Sequence, residues 1–563
     1  MPEALDAAPA NQPFVTMWKS DDDLETVTFG EFRGLVAGHA DYLRAHGLQA
    51  GDTVILIMPQ GIPVMAAFVA AMYLGAVPAI LAYPNFKIDP AKYRFGLAGV
   101  SANLKARLVL IDEGFPQELS EHVTITEETR LVRAISETAS HHPTELQANC
   151  EAGQIAFIQH SAGTTGLQKG VALSHSAVLQ QVNHLAPALR IASGDRIYSW
   201  LPLYHDMGLI ACFMLPMVCH LPLVMQSPTD WVLQPGTMLQ LISRYRCTLA
   251  WIPNFTFQFL ARRVRPQDRA ELDLSSLRLL INCSEPVRAS SMDEFRDTFS
   301  ACKLQPYAPQ SCYAMAETVF AVTQSGMDGH STACRIWVEG ETLRKHQIAK
   351  LVPEGTAGAV CLVSSGRCLP GSEVRIASAD GKQLPPGYVG EIIINSDSLL
   401  DGYYNRPELT AKALRDGWYW SGDLGFVLDD EVYVIGRKKD LIIVAGENIY
   451  PQDVEEIVSS HPAVHEGRVV ALGLYSPNLG TEDIVVVAEM KSEADLERAA
   501  SIERELRNAI FTELRVTPRA IYLKPAKWIV KSTAGKPARS TTREKLFSEH
   551  PELRASYPGE LTS

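Results

Sequence analysis

No Asp, Glu, Lys or Arg occurs between Thr53 and Phe86, and residues 64–83 are mostly apolar. A membrane-spanning helix needs about twenty such residues. The punctuation inside the run argues for a buried unit instead. Residues 54–58 read as a strand, Gln60-Gly-Ile-Pro63 as a turn, 64–74 as a short helix stopped by Gly75, and 77–81 as a second strand. That is a βαβ unit covered on both faces. Residues 209–226, with His220 and two prolines, also read as core.

Strand-like runs at 107–111, 249–252 and 277–281 alternate with amphipathic stretches, which predicts α/β layers. After about Gly358 short strands follow one another through Gly and Pro turns, as at 371–376 and 391–394, and predict a β-rich subdomain. Residues 432–435 read as the end of a hairpin. A compact module follows, with helices near 451–461 and 492–514. The predicted class is α/β. A large N-terminal domain (1–438) holds layered α/β subdomains and the β-rich subdomain, and a small α+β C-terminal domain (439–563) follows.

At 563 residues the chain exceeds a single core, in keeping with two or more domains. A net charge of −13 argues against a general nucleic-acid binder, which would present a basic face. The ten cysteines include no C-x-x-C pair, which argues against a zinc site and for reduced thiols in the cytoplasm. The first thirteen residues lack the basic start and apolar core of a signal peptide.

The candidate chemistry centres on Ile158-Gln-His-Ser-Ala-Gly-Thr-Thr-Gly-Leu-Gln-Lys-Gly-Val171. Glycines allow a tight bend and close ligand approach, while hydroxyls, bare N–H groups and a lysine surround an oxyanion. The guest this predicts is a nucleotide polyphosphate. The stretch is not a Walker loop, because Gly163 and Gly166 are too close and Gly170, not Ser or Thr, follows Lys169. Taken alone it reads equally well as an ordinary hairpin turn.

Further motifs follow in order: Trp200-Leu-Pro-Leu-Tyr-His-Asp-Met-Gly208, Asn282-Cys-Ser-Glu-Pro286, Tyr313-Ala-Met-Ala-Glu-Thr318, Gly390-Glu391 with Gly402-Tyr-Tyr404, Ser421-Gly-Asp-Leu-Gly425, Gly436-Arg-Lys-Lys-Asp-Leu-Ile-Ile443 and Ser532-Thr-Ala-Gly-Lys536. With the glycine-rich stretch, this set resembles the adenylate-forming superfamily of acyl-CoA synthetases, luciferases and adenylation domains. The resemblance covers about residues 18–545. The wording at 440–453 is most similar to the fatty acyl-AMP ligases, and residues 335–375 resemble the insertion that disfavours coenzyme A in that group. Asp397-Ser398-Leu399 sits in a strand-and-turn setting of the family and is not read as a carrier attachment site.

The resemblance implies that ATP and a carboxylic acid give an acyl-adenylate and pyrophosphate, after which a thiol takes the acyl group. It implies that Ser161, Gly163, Thr164, Thr165, Gly166 and Lys169 hold the β- and γ-phosphates. Ala162 and Gln168 depart from the family's usual Ser and Pro. Lys536 would bridge the carboxylate and the α-phosphate, with Ala534 in place of the usual Ser. Glu317, with Thr165, would bind Mg²⁺. Tyr313 would lie on adenine beside Ala314 and Met315, and Asn282, Ser284, Glu285 and Pro286 would frame its edge. Asp423 and Arg437 would hold the ribose, His205 would gate the acyl site, and Met207, Trp251, Asn254 and Phe255 would line it. Lys439 aligns with the hinge about which the C-terminal domain swings. The implied acceptor is the phosphopantetheine arm of a separate acyl carrier protein. The alternatives are coenzyme A as acceptor, or a catalytically weak member that senses an acyl group or a nucleotide.

Overall fold

In the computed structural model, the uncharged run folds as strand Thr53–Ile57, helix Ile62–Tyr73 and strand Val77–Ile80. The structure describes residues 1–20, 23–84, 90–134, 146–160, 169–477, 479–531 and 536–557. Every residue of the Ile62–Tyr73 helix except Pro63 is buried, so its apolarity comes from enclosure on all sides. Pro63 stands in the first turn, where a missing N–H costs nothing. Among the described residues no helix is long and apolar enough to cross a membrane.

The two strands pair in parallel and belong to a four-stranded sheet with Leu108–Ile111 and Arg130–Arg133. A nine-stranded sheet forms the other layer of the large domain, and its central strands run parallel. Three of them, Ile197–Ser199, Leu249–Ile252 and Leu279–Asn282, lie side by side with Pro309–Ala314. Residues 209–226 are core, as the sequence predicts. They form a wide π-helical segment, Met207–Met214, all of it buried, then helix Leu215–Val218 and strand Leu223–Gln226.

The β-rich region is a five-stranded antiparallel sheet that includes Ser372–Ala377, Gly390–Ser396, Trp418–Leu428 and Glu431–Arg437. Beyond Asp440 the chain builds a separate three-stranded sheet, Val464–Ser476, Thr481–Met490 and Ala520–Lys524. Successive strand residues face opposite ways. Val469, Ala471, Val486 and Ala488 therefore meet helices Pro451–Ser459 and Ala499–Leu514, while Val470, Leu472, Val485 and Val487 meet Trp528, Leu546 and Phe547. The helical stretch predicted at 492–514 is broken at Arg498 into Glu493–Glu497 and Ala499–Leu514. Within the second helix Ile502, Leu506, Ile510 and Leu514, four residues apart, form one buried stripe.

Candidate active site

The parallel strands end on one side of the nine-stranded sheet, where open α/β sheets commonly bind ligands. Asn282 closes its strand there, and Tyr313 and Ala314 end the next. The Tyr313 hydroxyl donates to Asp423 Oδ2 at 2.6 Å. Asp423 comes from a different sheet, where it stands in register opposite Arg437, and Arg437 Nε lies 3.4 Å from Asp423 Oδ1. Burial raises the Asp423 carboxyl above the ordinary carboxylate range, against the pull of Arg437 and the Tyr313 hydroxyl. Asp423 in turn raises the Arg437 guanidinium.

Lys536 reaches this cluster from the small domain. Its strap is closed by the Ala538 N–H to Val530 carbonyl bond at 2.8 Å and by a bridge between Lys531 and Pro537. Lys536 Nζ donates to the Ser284 carbonyl. Burial lowers its ammonium, Glu285 opposes the shift, Arg437 adds to it, and Asp206 opposes it. Arg539, three residues on, makes paired bonds to Glu455 at 2.8 and 2.7 Å and one to Asp440 at 3.1 Å. The strap is thus tied to the helix Pro451–Ser459 and to the turn Lys438–Asp440. Lys439 sits in that turn, its ammonium lowered by burial first and by Arg437 second.

Ser284 has φ 70°, and its hydroxyl lies 3.9 Å from the Met207 sulfur. Glu285 Oε2 accepts the Phe255 N–H at 3.1 Å, while Pro286 is exposed. Asn254 Oδ1 accepts from Asn282 Nδ2 at 2.8 Å and from the Arg288 N–H at 3.0 Å, and its amide donates to Ser291 at 3.0 Å. Those bonds make Asn254 and Asn282 the frame of the 283–288 turn. Trp251 is fully enclosed in the main core, and Phe255 is partly exposed against Trp200 and Trp231, which stack at 3.7 Å. His205 Nδ1 lies 2.5 Å from Asp206 Oδ1, which also accepts the Met207 N–H at 2.7 Å and so caps the π-helical segment. Burial pushes Asp206 up, but His205 and that N–H outweigh it and hold the carboxyl below the ordinary range.

Glu317 occupies a single tight turn, Ala316–Thr318, beside the partly buried Met315. Val319 just after it adopts φ 62°, a strained value for a β-branched residue. The Glu317 carboxylate accepts the Tyr403 hydroxyl at 2.9 Å. Lys169 Nζ lies 4.5 Å from the centre of the Tyr403 ring. Ser161, Gly163, Thr164, Thr165 and Gly166 lie outside the described residues. The strands on either side, Ile155–His160 and Gly170–Ser174, form an antiparallel pair with His160 opposite Gly170. The connecting segment is longer than the roughly two to five residues that a hairpin requires.

Among the described residues no group of three or more His, Cys, Asp or Glu could hold a metal unaided. A single carboxylate of the Glu317 kind suits Mg²⁺, which takes one or two carboxylates together with nucleotide phosphates.

The structure brings Lys536, Tyr313, Asp423, Arg437, Ser284, Glu285 and Asp206 into one charge cluster, and Glu317 with Lys169 into an adjoining one joined by Tyr403. Sequence reasoning assigned no role to Asp206, Tyr403 or Arg539. An Asp just before an apolar helix is a local capping signal, so Asp206 was findable. The acidic residues that Tyr403 and Arg539 bond, Glu317 and Glu455, stand more than eighty residues away, and no local pattern announces them.

The chain matches the AMP-binding enzyme family over residues 3–404. It is 30% identical over 520 residues to the medium-chain-fatty-acid–[acyl-carrier-protein] ligase JamA of Moorena producens, covering 88% of this chain and 86% of that one. It is 26% identical to the probable long-chain-fatty-acid–AMP ligase FadD30 of Mycobacterium tuberculosis, over 98% of each. A solved structure from work on fatty acyl-adenylate ligases of E. coli and L. pneumophila superposes with a TM-score of 0.89 at 28% identity, over 98% of both chains. The chain belongs to the AMP-binding enzyme family.

Proposed function

We propose that the protein activates a fatty or other lipophilic carboxylic acid with ATP and passes the acyl group to a separate acyl carrier protein. A carboxylate oxygen attacks the α-phosphorus, the bond from that phosphorus to the bridging oxygen breaks, and pyrophosphate leaves with the electron pair. The carrier's phosphopantetheine thiol then loses its proton, its sulfur bonds to the acyl carbon, and AMP departs. JamA, named for ligating a medium-chain fatty acid to acyl carrier protein, supports both the acid class and the acceptor.

One observation carries the reading: Lys536 of the small domain meets the Ser284 carbonyl beside the Tyr313–Asp423–Arg437 cluster of the large one. Its ammonium stabilises charge as it builds between the carboxylate and the α-phosphate. Asp423 accepts the ribose hydroxyls, with Arg437 holding the carboxylate in place. Tyr313 packs on the adenine beside Ala314 and Met315, and the turn framed by Asn282 and Asn254 borders its edge. Lys169, with the glycine-rich segment, takes the β- and γ-phosphates. Glu317 is the residue that would hold Mg²⁺, which when bound neutralises phosphate charge. His205, Met207 and Phe255 shape the acid's approach, while Trp251 stays enclosed in the core.

Residues 1–438 act as the nucleotide and acid platform and 439–563 as a body turning about Lys439, which must withdraw Lys536 before a thiol can enter. A cytoplasmic location suits the ten free cysteines. The test is pyrophosphate release over a panel of carboxylic acids, then mass detection of acyl groups on holo-carrier proteins and on coenzyme A. Release with lipophilic acids and loading of the carrier are expected. No release with any acid overturns the activity, and rapid acyl-CoA formation overturns the acceptor.

A further inference from the structure

Tyr403 stands between Lys169 and Glu317. Its backbone is fixed from both sides. Tyr403 pairs with Val171 of the strand that begins just after Lys169, its N–H donates to Thr410 Oγ1 at 2.9 Å, and the Tyr404 N–H donates to the Gly170 carbonyl at 2.7 Å. That pairing sets the ring beside Lys169, whose ammonium lies 4.5 Å from the ring centre. The hydroxyl points the other way and donates to Glu317 Oε1 at 2.9 Å, while the Tyr419 hydroxyl lies 3.2 Å behind it. The side chain is 3% exposed, so it has no room to turn elsewhere.

We propose that Tyr403 is a positioning residue that couples the phosphate-site lysine to the candidate metal carboxylate. The ring face steers the Lys169 ammonium through its quadrupole. The hydroxyl, backed by Tyr419, aims one oxygen of Glu317 so that the other is left for a hard cation. This rests on the nucleotide-site reading of Glu317 and Lys169 given above, and it adds that one phenol sets both.

The two contacts are separable by substitution. Tyr403→Phe keeps the ring and removes the donor, whereas Tyr403→Leu removes both. Calorimetric binding of a non-hydrolysable ATP analogue to the full-length protein, once with a chelator and once with Mg²⁺, reads each contact without catalysis. For Tyr403→Phe the metal-free affinity is expected to stay within about twofold, while the gain on adding Mg²⁺ shrinks about tenfold, as for loss of a hydrogen bond to a charged group. For Tyr403→Leu the metal-free affinity should also fall by about threefold, the scale of an exposed cation–π contact. Should Tyr403→Leu fail to fold, as read from its melting curve, Tyr403→Met replaces it. A Tyr403→Phe protein that keeps the whole Mg²⁺ gain, or an aliphatic variant whose metal-free affinity is unchanged or improved, overturns the proposal. Wild-type pyrophosphate release, assayed on the same preparation, separates the outcomes. If it is present while Tyr403→Phe behaves as wild type, only the positioning role falls. If it is absent with every acid, the functional reading falls as well.

Discussion

On the large domain the candidate nucleotide face is tied together by its own side chains. Tyr313 donates to Asp423 at 2.6 Å, and Asp423 faces Arg437 across a hairpin whose backbone bonds are already made. Lys536 of the small domain enters on a strap fixed by Arg539 to Glu455 and Asp440, all residues of that same domain. Contacts between the domains include the ion pairs of Arg288 with Glu456, Arg262 with Glu466, and Lys345 with Glu447 at 3.3 Å, and hydrogen bonds from Asn448 to the Arg344 carbonyl and from Gln452 to the Ile435 carbonyl. Tyr450 and Leu441 add a small apolar joint against Phe426 and Tyr433. A hydrogen bond to a charged group contributes roughly 1.5–3 kcal/mol, whereas an exposed ion pair is worth about 0–1 kcal/mol. One face is therefore preformed by its own contacts. The other carries Lys536 close to Arg539, which is anchored within its own domain, and this arrangement suits the proposed arrival of the lysine for one step and its departure for the next.

The comparison breaks most visibly at its reactive end. Lys536→Ala is expected to lower pyrophosphate release by about a thousandfold, the scale of removing one preorganised charge stabiliser. The wild-type rate should also be pH-dependent in a stated sense. Burial holds the folded pKa of Lys536 below that of an ordinary lysine, so the ammonium is present at lower pH and is lost as pH rises through that depressed value. Adenylation should fall on the alkaline side earlier than a solvent-exposed lysine would allow, as a pH–rate profile would reveal.

On the preformed face, Asp423→Ala should raise the KM for ATP by about ten- to a hundredfold with a smaller change in kcat, because hydrogen bonds from the ribose hydroxyls to a charged carboxylate are lost. Burial raises the Asp423 pKa, so its carboxylate accepts hydrogen bonds only above that elevated value and the ability is lost as pH falls. ATP affinity should weaken on acidification before an ordinary aspartate would protonate, and Asp423→Asn should remove that limb.

Arg539→Ala removes the contacts to Asp440 and Glu455. It should lower kcat about tenfold and leave the KM for ATP within about threefold, with partial rescue by Arg539→Lys, since only placement of Lys536 is disturbed. The smallest effect belongs to the docking contacts. Arg262→Ala should change the rate by less than about threefold, and high salt should erase the difference.

Much of this was legible beforehand because it is local. The strands at 53–57, 77–80 and 249–252, and the helix at 62–73, follow from period, length and Gly or Pro punctuation. The motif residues Lys536, Asp423, Arg437 and Tyr313, singled out by local wording, lie near one another in the structure. What stayed hidden depends on pairs that only folding brings close. The Arg539–Glu455 and Tyr403–Glu317 contacts join separate elements, and nothing near either residue in sequence signals its partner. The inward amide of Asn254 was equally unreadable. The resemblance implies only that it lines the acyl site, and its bonds to Asn282, Arg288 and Ser291 are what make it a frame. The break at Arg498 escaped notice because Arg is a good helix former and no Gly or Pro marks the position.

The most direct measurement separates the two half-reactions in Lys536→Ala. Single-turnover transfer from a supplied acyl-adenylate to the thiol acceptor is followed alongside pyrophosphate release from ATP and acid. Transfer within about threefold of wild type, with release nearly abolished, is the expected result. Equal losses in both steps, or undiminished release, would contradict delivery of the lysine by the small domain for adenylation alone.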